Sequence, residues 1–127
     1  MASGAQARVL IVEDDDLVRD YISILVSSLG YEVAAAVSAA REALEVLAAG
    51  EQIDLLLTDV VMSGGINGRQ LADTVLRDHP DIAILMVSGN HQDPSIHDTL
   101  QARRTAFLGK PFRKRELAAS LSALLED

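Results

Sequence analysis

The apolar residues of this chain fall into short uninterrupted runs, separated by longer segments in which apolar positions recur at helical spacing. A strand that is apolar on both faces is typical of a parallel sheet covered by helices on both sides. Five runs are therefore predicted strands: "RVLIV" (8–12), "YEVAAAV" (31–37), "IDLLLTD" (53–59), "IAILMVS" (82–88) and "AFLG" (106–109).

The segments that follow these runs predict helices. The first, "DLVRDYISILVSSLG" (16–30), ends at Gly30, a residue that favours a helix C-terminus. Ser38 is the expected N-cap of the next helix, which Gly50 closes. Three further helices are predicted in "NGRQLADTVLRDHP" (67–80), the polar segment "PSIHDTLQARR" (94–104) and "RKRELAASLSALLED" (113–127).

This alternation of strands and helices predicts the fold class. We expect an α/β fold, a doubly wound (flavodoxin-like) five-stranded parallel sheet of order 2-1-3-4-5 with helices on both faces. A chain of 127 residues has the size of one domain. We expect that domain to span residues 8–126, with residues 1–7, "MASGAQA", as a flexible lead-in.

Composition excludes several classes of function. The chain has no cysteine, no apolar run near the roughly 20 residues of a membrane span, and no signal-peptide pattern. Its net charge of −8 opposes binding to nucleic acid, and with two Tyr, two Phe and no Trp it has little to stack on bases. We therefore expect a cytoplasmic protein with no membrane or nucleic-acid partner.

Polar residues stand where the predicted strands end. Glu13 and Asp14 follow strand 1, Asp59 ends strand 3, Ser88 ends strand 4 and Lys110 follows strand 5. In this fold, ligands bind at that edge of the sheet, near strands 1 and 3. Three carboxylates in one place repel each other, which raises a pKa or favours a hard cation such as Mg²⁺. With a lysine and a hydroxyl added, these are the groups that hold a phosphoryl group against a carboxylate.

The motifs that carry these residues are "VLIVEDD", "LLLTDVVM" with a following "NG", "ILMVSGN" and "FLGKPF". Each is weak alone. Together, in this order and spacing, they resemble the receiver (CheY-like) domain of bacterial two-component response regulators, over Arg8 to Glu126. The loop after Met62, which contains Gly64 and Gly65, resembles that of receivers attached to hybrid sensor histidine kinases.

The resemblance implies a function and a metal site. Asp59 would accept a phosphoryl group from a phosphohistidine on a sensor histidine kinase or a histidine phosphotransfer protein. Asp14 would bind Mg²⁺ directly together with Asp59, Glu13 would bind it through a water, and Val61 would contribute its backbone carbonyl. Such a domain is a phosphorelay signalling module with intrinsic Mg²⁺-dependent phosphotransfer and slow autodephosphorylation, rather than a turnover enzyme.

It also implies how the phosphoryl group is held and sensed. Ser88 would donate its hydroxyl, Lys110 would pair with the phosphoryl oxygens, and the bond from Lys110 to Pro111 would be cis. Phe107 falls at the aromatic switch position of the family. Gly89 replaces a frequent alanine and leaves the rim open. Phosphorylation would then switch a partner-binding face.

Alternative interpretations depend on single features. A Mg²⁺-dependent phosphatase of the haloacid-dehalogenase type needs an acid two residues after its nucleophile, where this chain has Val61. A binding module that ignores phosphate would not need the full set of acids, hydroxyl and lysine. A nucleotide-binding domain would show a glycine-rich phosphate loop, which is absent. Asp15 and Asp16 are interpreted as helix-capping acids.

Overall fold

The computed structural model describes residues 6–60, 67–89 and 105–125. Its strands are β1 (Arg8–Val12), β2 (Glu32–Val37), β3 (Leu55–Asp59), β4 (Ala83–Ser88) and β5 (Thr105–Gly109). They form one parallel sheet of order β2-β1-β3-β4-β5, which confirms the predicted fold class and strand order.

The described helices are α1 (Asp16–Ser28), α2 (Ala40–Ala48), α3 (Gly68–Asp78) and α4 (Lys114–Leu125). Beyond the ends of α1 and α2, Gly30 and Gly50 adopt φ angles of 97° and 88°, the left-handed conformation that glycine tolerates best. The polar helix predicted at 94–104 lies outside the described residues. None of the helices in the described part of the chain is long and apolar enough to cross a membrane.

The sheet is covered on both faces. Leu10 and Leu56 point to the face covered by α2 and α3, whereas Ile11 and Leu57 point to the face covered by α1 and α4. Side chains alternate between the two faces along each strand, and both faces are buried, so the central strands read as unbroken apolar runs. Every residue of β3 and β4 is buried.

The starts of α1 and α2 are capped differently. Asp15 is the N-cap of α1, and its carboxylate accepts two backbone N–H groups of the first turn, which fits the capping role given to it. The prediction of Ser38 as N-cap of α2 is wrong, because the N-cap is Ala39. Glu42 reaches back instead, and its carboxylate accepts the N–H groups of Ser38 and Ala39 and the Ser38 hydroxyl.

The start of α3 packs directly on the end of β3. Asn67 and Gln70 cap the helix reciprocally, each side chain accepting the backbone N–H of the other. The Gly68 N–H donates to the carbonyl oxygen of Val60 at 2.9 Å. A Cβ atom at Gly68 would lie 1.8 Å from the backbone oxygen of Asp59, so this contact is open only to glycine.

Candidate functional site

Three carboxylates meet at the carboxyl edge of the sheet. Glu13 and Asp14 directly follow β1, and Asp59 ends the neighbouring β3, whose Thr58 pairs with Val12. One oxygen atom from each of the three carboxylates lies within 4.8 Å of the other two. Glu13 and Asp59 are buried, and Asp14 is partly exposed. The structure therefore brings together the three acids that the sequence placed at the ends of two strands.

Lys110 joins two of these acids. Its Nζ atom lies 2.9 Å from Glu13 Oε1 and 2.9 Å from Asp59 Oδ2. The exposed fractions of the three side chains are 26% for Lys110, 3% for Glu13 and 11% for Asp59. The Lys110 backbone N–H donates to the carbonyl oxygen of Ser88 at 2.9 Å, and the peptide bond to Pro111 is cis. Lys110 thus partly neutralises the negative charge of the acids.

The site shifts the pKa values of its members. Burial raises the pKa of Glu13, and the nearby Asp59 carboxylate adds to this, against hydrogen bonds from Lys110 and the Asp15 backbone N–H. Burial alone would lower the pKa of Lys110, but its hydrogen bonds to Glu13 and Asp59 outweigh burial and raise it. A positively charged lysine is therefore held firmly beside a carboxyl group that resists ionisation.

The remaining predicted residues surround this centre. Ser88 is buried at the end of β4, one residue beyond Val87, which pairs with Asp59. Gly89 is exposed, and an added Cβ atom there would meet no atom of the described residues within 4 Å. Phe107 lies in β5, partly buried against the core face that α2 and α3 cover. Val61 lies outside the described residues.

Two residues next to the acids were missed in the sequence. Arg19 extends from α1 and donates from Nη1 to the Glu13 carbonyl oxygen at 2.9 Å and from Nη2 to Asp16 Oδ1 at 2.6 Å. The spacing of Asp16 and Arg19 on a helix indicates their ion pair. No spacing in the sequence indicates the bond from Arg19 to the Glu13 carbonyl oxygen at the end of β1. Gly68 belongs to a quoted motif, but only the structure shows that it touches the Asp59 backbone.

An apolar surface on α1 borders the site. Leu17, Tyr21 and Ile24 recur on one side of this helix with exposed fractions of 80%, 51% and 66%. Beside them, a groove of about 380 Å³ is lined by Val18, Tyr21, Ile22, Lys110, Pro111 and Phe112. The groove therefore leads from the α1 surface to the lysine that contacts Asp59.

The carboxylate cluster suits a small hard cation. Oxygen atoms on opposite sides of an octahedral Mg²⁺ lie about 4.2 Å apart, because each bond is about 2.1 Å long. The oxygen atoms of the three acids all lie within 4.8 Å of one another, so small side-chain movements would allow Glu13, Asp14 and Asp59 to share one ion. The donor set, all oxygen and anionic, is the type that Mg²⁺ prefers.

Comparison with known proteins identifies the family. The sequence profile described as "Response regulator receiver domain" matches residues 9–122. The chain belongs to this family. The receiver domain is 36% identical over 124 residues to part of the sensor kinase CckA of Brucella abortus, covering 97% of this chain and 13% of that protein. It is 31% identical over 120 residues to the transcriptional regulatory protein YvrH of Bacillus subtilis, covering 94% of this chain and 49% of that protein.

A solved structure agrees with the fold. The crystal structure of a CheY-like response regulator receiver domain protein from Methanospirillum hungatei superimposes on this receiver domain with a TM-score of 0.86 and 26% identity. The match covers 96% of this chain and 95% of that one. The chain spans between 13% and 49% of the lengths of CckA and YvrH. The similarity to part of a sensor kinase fits the resemblance to receivers attached to such kinases.

Proposed function

We propose that this receiver accepts a phosphoryl group on Asp59 from a phosphohistidine of a sensor histidine kinase or a histidine phosphotransfer protein. The observation that carries this proposal is the contact of Lys110 with Asp59 inside a cluster of three acids. A carboxylate at a strand end needs no such surroundings for a structural role. Phosphoryl transfer needs a carboxylate nucleophile, a fixed cation and neutralised charge in one place.

In the proposed transfer, one Asp59 carboxylate oxygen attacks the phosphorus in line with the bond to the imidazole nitrogen. The phosphorus–oxygen bond forms as the phosphorus–nitrogen bond breaks, and the imidazole keeps the electron pair and takes up a proton. Lys110 and the hydroxyl of Ser88 would then contact the transferred oxygens. Lys110 already lies 2.9 Å from Asp59, so little movement is required of it.

Glu13, Asp14 and Asp59 would hold Mg²⁺, with the backbone carbonyl of Val61 as a further ligand. A bound Mg²⁺ supplies positive charge to the transferring phosphoryl oxygens. Lys110 contacts both Glu13 and Asp59, and it limits the mutual repulsion of the acids. We expect the resulting aspartyl phosphate to hydrolyse slowly, as the resemblance implies.

The added phosphoryl charge of about −2 would change the surroundings of Ser88 and Lys110. Gly89 follows Ser88 directly, and among the described residues nothing lies within 4 Å of the place where its Cβ atom would be, so they do not block a movement at this point. Phe107, partly buried in the neighbouring strand β5, would settle in a second position. The surface around β5 would then bind a partner differently in the phosphorylated and unphosphorylated states.

The donor protein would contact the apolar surface of α1. Leu17, Tyr21 and Ile24 are more exposed than large apolar residues of a helix usually are, and the groove beside them reaches Lys110. A donor helix seated on this surface would present its phosphohistidine to the edge of the sheet that carries Asp59. A small phosphoryl donor such as acetyl phosphate can reach Asp59 without contacting this surface.

The experiment that tests the proposal is incubation with acetyl phosphate and Mg²⁺, followed by intact-mass measurement. The wild type should gain the mass of one phosphoryl group, and this gain should decay slowly after removal of the donor. Asp59→Asn should gain nothing. Asp20→Asn, at an exposed acid of α1, is the matched control and should behave like the wild type. No gain in the wild type, or an equal gain in Asp59→Asn, would refute the proposal.

A further inference from the structure

Arg19 links helix α1 to the end of strand β1. Its guanidinium donates to the Glu13 carbonyl oxygen at 2.9 Å and to Asp16 at 2.6 Å, and its side chain is only 19% exposed. We propose that Arg19 is a positioning residue for the cation-binding acids. The inference rests on the proposed function, since it concerns the acids that would hold Mg²⁺.

The bond to the Glu13 carbonyl matters because of where this carbonyl lies. It belongs to the peptide group that joins Glu13 to Asp14, two of the three clustered acids. When that peptide group is held in one orientation, the direction in which the Asp14 side chain extends from the backbone is more restricted. The preceding N–H of Glu13 donates to Val37 at 3.0 Å, so Arg19 holds the turn on the side that leads away from the sheet.

The Glu13 side chain is held in the same turn. Its Oε2 atom accepts the Asp15 N–H at 3.1 Å, and its Oε1 atom accepts from Lys110 at 2.9 Å. The Arg19 side chain adds a bond from the body of α1 to the Glu13–Asp14 peptide group, beyond the bonds by which Asp15 caps the helix. Without it, the peptide between the two acids can rotate, and Mg²⁺ binding must order it again at a cost in free energy.

The proposed role of Arg19 does not depend on its positive charge. A lone guanidinium beside three carboxylates would repel Mg²⁺, but Arg19 is paired with Asp16, so the pair adds almost no net charge. Replacing both residues by neutral ones leaves the net charge unchanged. The double variant therefore separates the positional effect from the electrostatic one.

The experiment compares Mg²⁺ affinity by isothermal titration calorimetry in wild type, Asp16→Asn, Arg19→Lys and the double variant Arg19→Met with Asp16→Asn. The double variant should bind Mg²⁺ about tenfold more weakly, the lower end of the usual loss for a group that orients metal ligands. Asp16→Asn alone keeps the contact to Glu13 and should stay within about threefold of the wild type. Arg19→Lys keeps a hydrogen-bond donor and a positive charge, and it should retain most of the wild-type affinity for Mg²⁺.

Hydrogen exchange supplies a second readout that involves no metal. The amides of Asp14 and Asp15 should exchange faster in the double variant, whereas those of β3 and β4 should not change. If the wild type binds no Mg²⁺, both the proposed function and this inference fail. If the wild type binds Mg²⁺ and the double variant binds it equally well, the inference alone is overturned.

Circular dichroism first shows whether each variant is folded. If the double variant is not, Arg19→Gln alone takes its place. That variant has one more net negative charge, which strengthens the attraction for Mg²⁺. Weaker binding in Arg19→Gln would therefore support the positional role, and equal or tighter binding would overturn it.

Discussion

Replacing Lys110 by methionine removes the ammonium group and keeps an unbranched side chain that reaches the Cε position. The ammonium lies 2.9 Å from an oxygen of Glu13 and 2.9 Å from an oxygen of Asp59. Both carboxylates are almost completely buried, so water replaces the lost contacts poorly. We expect the Lys110→Met variant to be less stable than the wild type in the absence of metal.

The size of the loss follows from the geometry. Two like charges within 4.8 Å of each other, as the carboxylates are here, repel by at least about 3.5 kcal/mol at an effective dielectric constant of roughly 20. Removing one partner of a buried ion pair costs roughly 3–5 kcal/mol, and Lys110 is about a quarter exposed, so we expect a loss of about 2–3 kcal/mol. The raised pKa of Lys110 keeps this stabilisation complete at pH 8, and it would be lost only as the pH rises through that raised pKa.

The loss should depend on pH in a direction set by Glu13. Its pKa is already raised by burial, and removing Lys110 raises it further. An acid whose pKa is raised on folding lowers the free energy of unfolding only at a pH high enough to ionise it. This loss of stability is therefore present at high pH and shrinks as the pH falls. The difference between variant and wild type should therefore be smaller at pH 5.5 than at pH 8.

The measurement is urea unfolding followed by circular dichroism at both pH values. Lys114→Met, which removes the same charge from an exposed residue at the start of α4, is the control and should change the free energy of unfolding by less than about 0.5 kcal/mol. Added Mg²⁺ should restore stability to Lys110→Met, because it supplies positive charge to the same acids. If Lys110→Met loses no more stability than Lys114→Met at pH 8, the electrostatic account of the site is wrong.

Three further outcomes are expected. Gly68→Ala should lower the free energy of unfolding in urea by about 1–3 kcal/mol, because its Cβ atom would meet the Asp59 backbone. A Cβ atom at Gly89 meets none of the described residues within 4 Å, so Gly89→Ala should be close to neutral, and similar losses in both variants would contradict the packing argument. Glu42→Ala should destabilise α2 at neutral pH but not in acid. Hydrogen bonds from Ser38 lower the pKa of Glu42, so the stabilisation by this carboxylate is lost as the pH falls through the lowered pKa. A stability difference that does not change with pH would contradict this role of Glu42. Tyr21→Ser should slow phosphorylation by a histidine phosphotransfer protein that serves the wild type and leave labelling by acetyl phosphate unchanged, and equal slowing with both donors would remove α1 as the docking surface.

Much of this arrangement could be predicted from the sequence because it depends on strand ends. Once the unbroken apolar runs are recognised as buried parallel strands, their order brings residues 13, 14, 59 and 110 to one edge. The residue types at those positions then indicate the chemistry. None of this needs an interatomic distance.

Other features depend on competition between side chains or on distances in three dimensions, which the sequence does not give. Both Ser38 and Glu42 are able to cap α2, and the carboxylate prevails because it accepts three donors at once. The reach of Arg19 to the Glu13 carbonyl depends on the angle at which α1 leaves β1. The requirement for glycine at position 68 appears only when the distance to the Asp59 backbone is known.

The long chain separation within the site bears on how the protein is made. Glu13 and Lys110 are 97 positions apart, and Asp59 and Lys110 are 51 positions apart. A ribosome that adds about 5–20 residues per second delivers the acids several seconds before the lysine. Until then, the acids at the ends of β1 and β3 lack the ammonium group of Lys110, so we expect the pairing of these strands to become more stable when β5 arrives.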